Sequence, residues 1–380
     1  MTRQKSVLRQ IALRLPEIAS FCCAALMLCV IPLYFDDAFF NINRCKVSLI
    51  RTATPWLLAL MAVSLCASHL PCEKKRLERP IAPDICMAAF LLACVIACAR
   101  QGFSEDVTEA ANGRNLGLWL MLCLCAAYYI VALGEIDGRL LAACMLLCAA
   151  ICAGLGILNA AGIDPLGFYQ NINRKLKITF FSTIGNADFF GTYLLMMFGM
   201  AAGVMLFSKK RAFRLSAAGC AVLLILGMLV SRTDSASAGM LLVCLTMLVL
   251  SCGNWMRMGC AAILLAVCLA LIPAAQAILN KNPYHPQMDG LLSLLMKTHT
   301  VHALPVVLMV AAAVFIWLDR RGVRAPSRKA ASRVVLIAAA VMLVGFICAT
   351  FWFTAVKPEA DLGELSAFLR FDDQWGNYRG

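Results

Sequence analysis

Long runs of apolar residues, each close to the length of a bilayer-crossing helix, recur along the whole chain with only short polar segments between them. Lipid offers backbone N–H and C=O groups no partner, so a spanning segment must be a closed barrel or a helix of about 20 apolar residues. Runs such as 140–160, 189–207 and 260–279 fit the helix. Composition agrees: 62% of the 380 residues are hydrophobic and 14% are charged. A soluble domain holds about 25% charge. The chain therefore reads as an all-α, polytopic transmembrane bundle of about eleven spans, at 18–35, 52–70, 85–100, 116–133, 140–160, 189–207, 216–231, 238–252, 260–279, 303–318 and 334–356.

The first run follows a basic stretch but ends in Tyr34-Phe35-Asp36-Asp37, with no small-residue cleavage site, so it reads as a retained helix. The net charge of +13 is dispersed between apolar runs rather than over one face, which argues against nucleic acid as a partner. With the N-terminus cytoplasmic, 20 of the 34 lysines and arginines fall on inner segments, chiefly Lys74–Arg79, Lys209–Arg214 and Arg320–Arg333. That is the asymmetry the positive-inside rule requires. The 20 cysteines lie mostly inside apolar runs and read as small hydrophobes; no spacing points to a metal, and no cofactor is expected. Residues 1–356 form a transmembrane domain, and 357–380 an external segment.

Two outer segments carry polar groups that the topology does not explain. The first is Gly162–Asp188, whose Arg174, Lys175 and Lys177 run against the charge bias. They read either as contacts to anionic headgroups or as a diphosphate site, where arginine offers a planar fork and lysine a point charge. Within it Gly185-Asn186, followed by Asp188, reads as a turn with a cap opening the next helix, a role that by itself accounts for Asp188. The second is Ser231-Arg232-Thr233-Asp234-Ser235, a tight turn in which Arg232 and Asp234 pair, face water or line a polar cavity.

The runs GIDPLGFY (162–169), STIGNADFFGTYLL (182–195) and SRTDSASAG (231–239), with Phe371–Gly380, resemble in order and spacing the O-antigen ligase and Wzy-type polymerase family, in its Gram-positive form. The early Pro32-Leu33-Tyr34-Phe35-Asp36 is similar too. The resemblance implies a GT-C-like bundle in the bacterial cell membrane. It implies a metal-independent glycosyltransferase that moves a glycan from undecaprenyl diphosphate to an acceptor hydroxyl, for cell envelope biogenesis. Its partners would be a lipid-linked oligosaccharide, membrane lipid and other polysaccharide assembly proteins. It would give Arg174, Lys175, Lys177, Asn186, Asp188 and Arg232 to substrate binding, and Arg379 to catalysis.

This chain departs from the family at Asp188, where a second asparagine is usual, and at Ser235-Ala236-Ser237, where Ser-Arg-Gly is common. The family's large external loop runs on past the position of Arg379 to a histidine-bearing motif, so the resemblance places the general base there and implies a chain truncated within that loop. His69, His285, His299 and His302 do not match that position. The alternative readings are a flippase or transporter of lipid-linked sugars, and an inactive fragment.

Overall fold

The structure is a computed structural model. It describes residues 2–348, except 37, 40, 69–81, 111–114, 135, 171, 174–176, 285, 287, 289, 298–299, 326, 328, 330–332, 334–335, 338–339, 342–343 and 346–347. Among the described residues nine helices are long and apolar enough to cross a membrane, and Leu118–Ala132 forms a shorter apolar one. The chain is a multi-pass helical membrane protein, with a single two-stranded sheet among the described residues. The span expected at 334–356 falls mainly outside them.

The chain divides into two compact units, Met1–Cys148 and Ala149–Gly380. In the first, α1 (Thr2–Ala25) runs through a π-helical turn at Leu26–Val30 into Ile31–Leu33. It is followed by α2 (Ile42–Ser68), α3 (Ala82–Arg100), the single turn α4 (Glu105–Thr108) and α5 (Leu118–Leu133). Helices α1, α2 and α5 pack around Ala19, Cys23, Met61, Ala127 and Ile130. The Ser20 hydroxyl donates to the carbonyl of Ile130 at 2.6 Å, which satisfies a buried polar group on α1. Tyr128 of α5 donates to the Asp84 carboxylate at the start of α3, at 2.8 Å.

Helix α6 (Gly138–Ala160) begins in the first unit and ends in the second. The second unit continues with β1 (Phe180–Phe181), β2 (Gly185–Asn186), α7 (Ala187–Phe207), α8 (Arg211–Val230) and α9 (Asp234–Ser251). Then come α10 (Trp255–Ala270), α11 (Ile272–Leu279), α12 (Gly290–Lys297) and α13 (Thr300–Arg320). Its core is the α7–α8 seam, where Phe190, Leu194 and Phe198 meet Leu224, Ile225 and Met228, all buried. Small residues set the spacing there, as they do in lipid, where helices gain little from mutual burial and more from close contact. A Cβ on Gly227 would lie 2.6 Å from a Leu194 methyl.

Two expected boundaries move. Helix α2 begins at Ile42, ten residues before the expected 52, because its first three turns carry Arg44, Lys46 and Arg51 and so lack an apolar signature while remaining helical. The span expected from 260 begins at Trp255 and breaks at Leu271, where Pro273 starts α11. Proline is tolerated in a first helical turn but has no N–H to continue the preceding one.

Because the long helices of the second unit reverse the chain, one end of this unit gathers the described residues of 161–186, 231–233 and 280–288. The opposite end holds Lys209, Lys210, Arg211, Arg214, Arg257, Arg320 and Arg321. Aromatic faces partner two of these: the Arg257 guanidinium lies 5.0 Å from the Phe207 ring and that of Arg321 lies 5.2 Å from Trp317.

Candidate functional site

The described residues between Ala161 and Asn186 form an irregular loop that ends in a short hairpin, and several of its polar groups find partners inside the loop and on neighbouring helix ends. Gly162 turns the chain at φ +82°, and a Cβ there would sit 2.5 Å from the Pro283 ring, so glycine is needed for both conformation and space. The Asp164 carboxylate accepts from the N–H groups of Phe168 (3.0 Å) and Tyr169 (2.7 Å), closing the GIDPLGFY stretch into a turn. The Tyr169 hydroxyl donates to the carbonyl of Phe180 at 2.6 Å and ties that turn to β1. Asn159, at the end of α6, accepts from the Ser182 N–H at 2.8 Å and donates to Ile163 at 3.2 Å. Asn282 donates to the last carbonyl region of α6, at Ala160, over 3.0 Å.

Burial first, and the nearby Asp164 charge second, push the Tyr169 phenol far above its ordinary value of 10.0. The neutral hydroxyl is the form that donates to Phe180. The unfolded tyrosine ionises near pH 10 and the folded one above it, so its stabilising contribution is intact below about pH 10 and is lost as pH rises beyond. Absorbance titration of tyrosinate should show the wild type and Tyr169→Phe gaining equal signal up to pH 11. An extra ionising tyrosine in the wild type below that pH would refute the assignment.

The hairpin β1–β2 pairs Phe180 with Asn186 and Phe181 with Gly185. Its turn begins with Ser182 at φ +57°, and Gly185 at φ +98° starts β2. From β2 the chain enters α7 directly, and here the expected cap is reassigned. Asn186 is the N-cap, its side-chain oxygen accepting from the N–H of Asp188 at 2.8 Å. Asp188 sits in the first turn, where its charge opposes the positive end of the helix dipole, and its carbonyl accepts from Thr192 at 2.7 Å.

The turn after α8 closes against the start of α7 and the residue after Lys177. Ser231 donates to Met228 at 2.6 Å and lies 3.0 Å from the Thr233 hydroxyl, while Ser237 donates to Thr233 at 3.1 Å. Gly191 of α7 makes room for the turn, since a Cβ there would sit 2.6 Å from the Thr233 hydroxyl. Arg232 occupies the left-handed region at φ +59°, and its guanidinium donates to the carbonyl of Ile178 at 3.0 Å. Next to Ile178 is Lys177, whose ammonium lies 5.9 Å from the Tyr284 ring centroid.

The structure thus brings four of the sequence-derived residues, Lys177, Asn186, Asp188 and Arg232, to one end of the second unit. Arg174, Lys175 and Arg379 lie outside the described residues. Sequence reasoning missed Asn159, Asn282 and Tyr169, which hold the loop. Two asparagines at the ends of apolar runs were the available signal. Among the described residues, no group of three or more His, Cys, Asp or Glu is placed to hold a metal ion. Comparison with protein-family models, curated proteins and solved structures found no match.

Proposed function

We propose that this chain is a bacterial membrane glycosyltransferase of the O-antigen ligase and Wzy-type polymerase kind, a GT-C-like bundle of about eleven spans with a cytoplasmic N-terminus. Its reaction would join a glycan carried on undecaprenyl diphosphate to an acceptor hydroxyl outside the membrane. The observation that carries the reading is the hydrogen bond from Arg232 to the carbonyl of Ile178, next to Lys177, at the end of the second unit opposite its basic end. The charge asymmetry supports that end as the outer one, where a lipid-linked sugar is presented.

In such a reaction the acceptor oxygen bonds to the anomeric carbon as the bond to the diphosphate breaks, and the electron pair leaves with the diphosphate. Negative charge grows there, so fixed cations stabilise the transition state more than the ground state. Arg232 and Lys177, joined by Arg174 and Lys175, suit that role. The hydrogen bonds that fix the described part of the loop suit it too, because donors already in place need no reorganisation as charge develops.

Glycan transfer in membranes supplied with a lipid diphosphate-linked donor tests the reading. Arg174→Ala and Arg379→Ala should each reduce transfer with the protein still inserted and abundant, whereas Lys75→Ala, on the expected inner side, should leave it unchanged. Equal transfer in all three variants would remove the diphosphate site. Movement of the donor across the membrane without a new glycosidic bond would favour the transporter reading instead.

A further inference from the structure

We infer that the first unit holds a separate binding site for a phosphate-headed lipid, formed by a polar basin that continues into an apolar groove with Arg51 at their junction. The basin, of about 710 Å³, is lined by Arg44, Ser48, Arg51, Thr52, Glu109 and Asn115. The groove, of about 370 Å³, is lined by Pro55, Leu58, Trp119 and Leu122, together with Arg51 itself. Arg44 and Arg51 are seven residues apart on α2, two helical turns, so both face the same side roughly 10 Å apart along the axis.

Their position in the chain makes these arginines unusual. Arg51 lies within the candidate span Ile42–Val63, where a cation is costly unless it meets water, a counter-charge or a ligand. Pro55 adds a second local feature, having no N–H to offer the Arg51 carbonyl one turn earlier. An ion pair lies here: the Arg51 guanidinium meets the Glu109 carboxylate at 3.0 Å, with both side chains still partly exposed. Close backbone packing holds Glu109 in place. A Cβ on Gly117 would lie 2.7 Å from the Glu109 carbonyl carbon, so α5 starts hard against the end of α4.

A ligand that fits must satisfy both halves. Two guanidiniums with hydroxyls and an amide match a phosphate, which accepts paired N–H donors. The groove beyond Arg51 runs past Trp119, 51% exposed, and matches a hydrocarbon chain. A phosphate joined to such a chain is an anionic lipid. Glu109 then acts as a competitor, holding one side of the Arg51 fork until the phosphate displaces it. The site lies wholly within the first unit and does not depend on glycosyl transfer.

The test is retention of radiolabelled phosphatidic acid by the purified chain in neutral detergent micelles, with phosphatidylcholine and inorganic phosphate as separate arms. Phosphatidic acid should bind in preference to phosphatidylcholine. Arg51→Ala should weaken retention about tenfold or more, as expected for loss of a charge-assisted hydrogen bond. Glu109→Gln should strengthen it several-fold, a gain that misfolding could not produce. Trp119→Ala should weaken retention of the lipid. Unchanged retention in both Arg51→Ala and Glu109→Gln would overturn the site. Full competition by inorganic phosphate, with no effect of Trp119→Ala, would overturn the lipid as its ligand.

Discussion

Arg232→Ala should lower glycan transfer on the order of 10²-fold, the usual loss when one preorganised donor to a developing charge is removed. The difficulty is to separate that loss from damage to the loop, because the same guanidinium donates to the Ile178 carbonyl. Backbone geometry supplies the control. Arg232 sits at φ +59°, a conformation that costs a residue with a Cβ about 1–2 kcal/mol. Glycine removes that strain while forfeiting one hydrogen bond, worth about 1 kcal/mol. Arg232→Gly should therefore stay near wild-type thermal stability in detergent and still lose transfer to the same degree as alanine. Arg232→Lys should fall between, since it keeps the charge and loses the fork. Transfer at the wild-type level in Arg232→Gly would separate the guanidinium from the reaction altogether.

Phe190→Ala should be the most damaging single truncation in the second unit, costing about 3 kcal/mol or more. Phe190 is 0% exposed, its ring is stacked on Phe181 at 5.8 Å between centroids, and it fills the space left by Gly156 on α6. Within a bilayer protein the loss is mainly of contacts and of a filled volume, since lipid is as apolar as the side chain. Because Phe181 belongs to β1, the cavity would open directly beneath the hairpin. Phe189→Ala, one residue away and 48% exposed, should change stability by less than about 0.5 kcal/mol. Unfolding in mixed micelles with increasing denaturing detergent would measure both. Equal midpoints would show that the stacked ring contributes no more than its exposed neighbour.

The helices of the second unit were the most legible part of the sequence. Their apolar runs are bounded by the charged segment Lys209–Arg214 and the turn Ser231–Thr233, so hydropathy marks their ends within a few residues. Hydropathy reports what lipid tolerates, not where a helix starts. It therefore passed over the first ten residues of α2, which are helical yet carry three cations. The hairpin was legible only as a turn: two-residue strands have no periodicity, and Ser182 adopts its positive φ without a glycine to announce it. The clustering of Lys177, Asn186, Asp188 and Arg232 at one end followed from counting crossings. Their spacing did not, because it depends on hydrogen bonds between side chains and carbonyls far apart in sequence. The polar basin at Arg44 and Arg51 was invisible for the same reason, since Glu109 and Asn115 reach it from a polar segment between two later apolar runs.

The bond from Asn282 to the Ala160 carbonyl spans 122 residues, and it gives this loop a timetable. At the usual pace of synthesis, about 5–20 residues per second, Asn282 leaves the ribosome roughly 6–24 s after Ala160. Four helices, α7 to α10, and the short α11 are made in that interval. Until Asn282 arrives, the carbonyl at the end of α6 must be served by water or by the insertion machinery. Asn159 can engage Ser182 after only 23 residues, so the hairpin is able to form early and wait. The loop's foundation at α6 is consequently laid near the beginning of the unit's insertion, and its last fastening comes near the end.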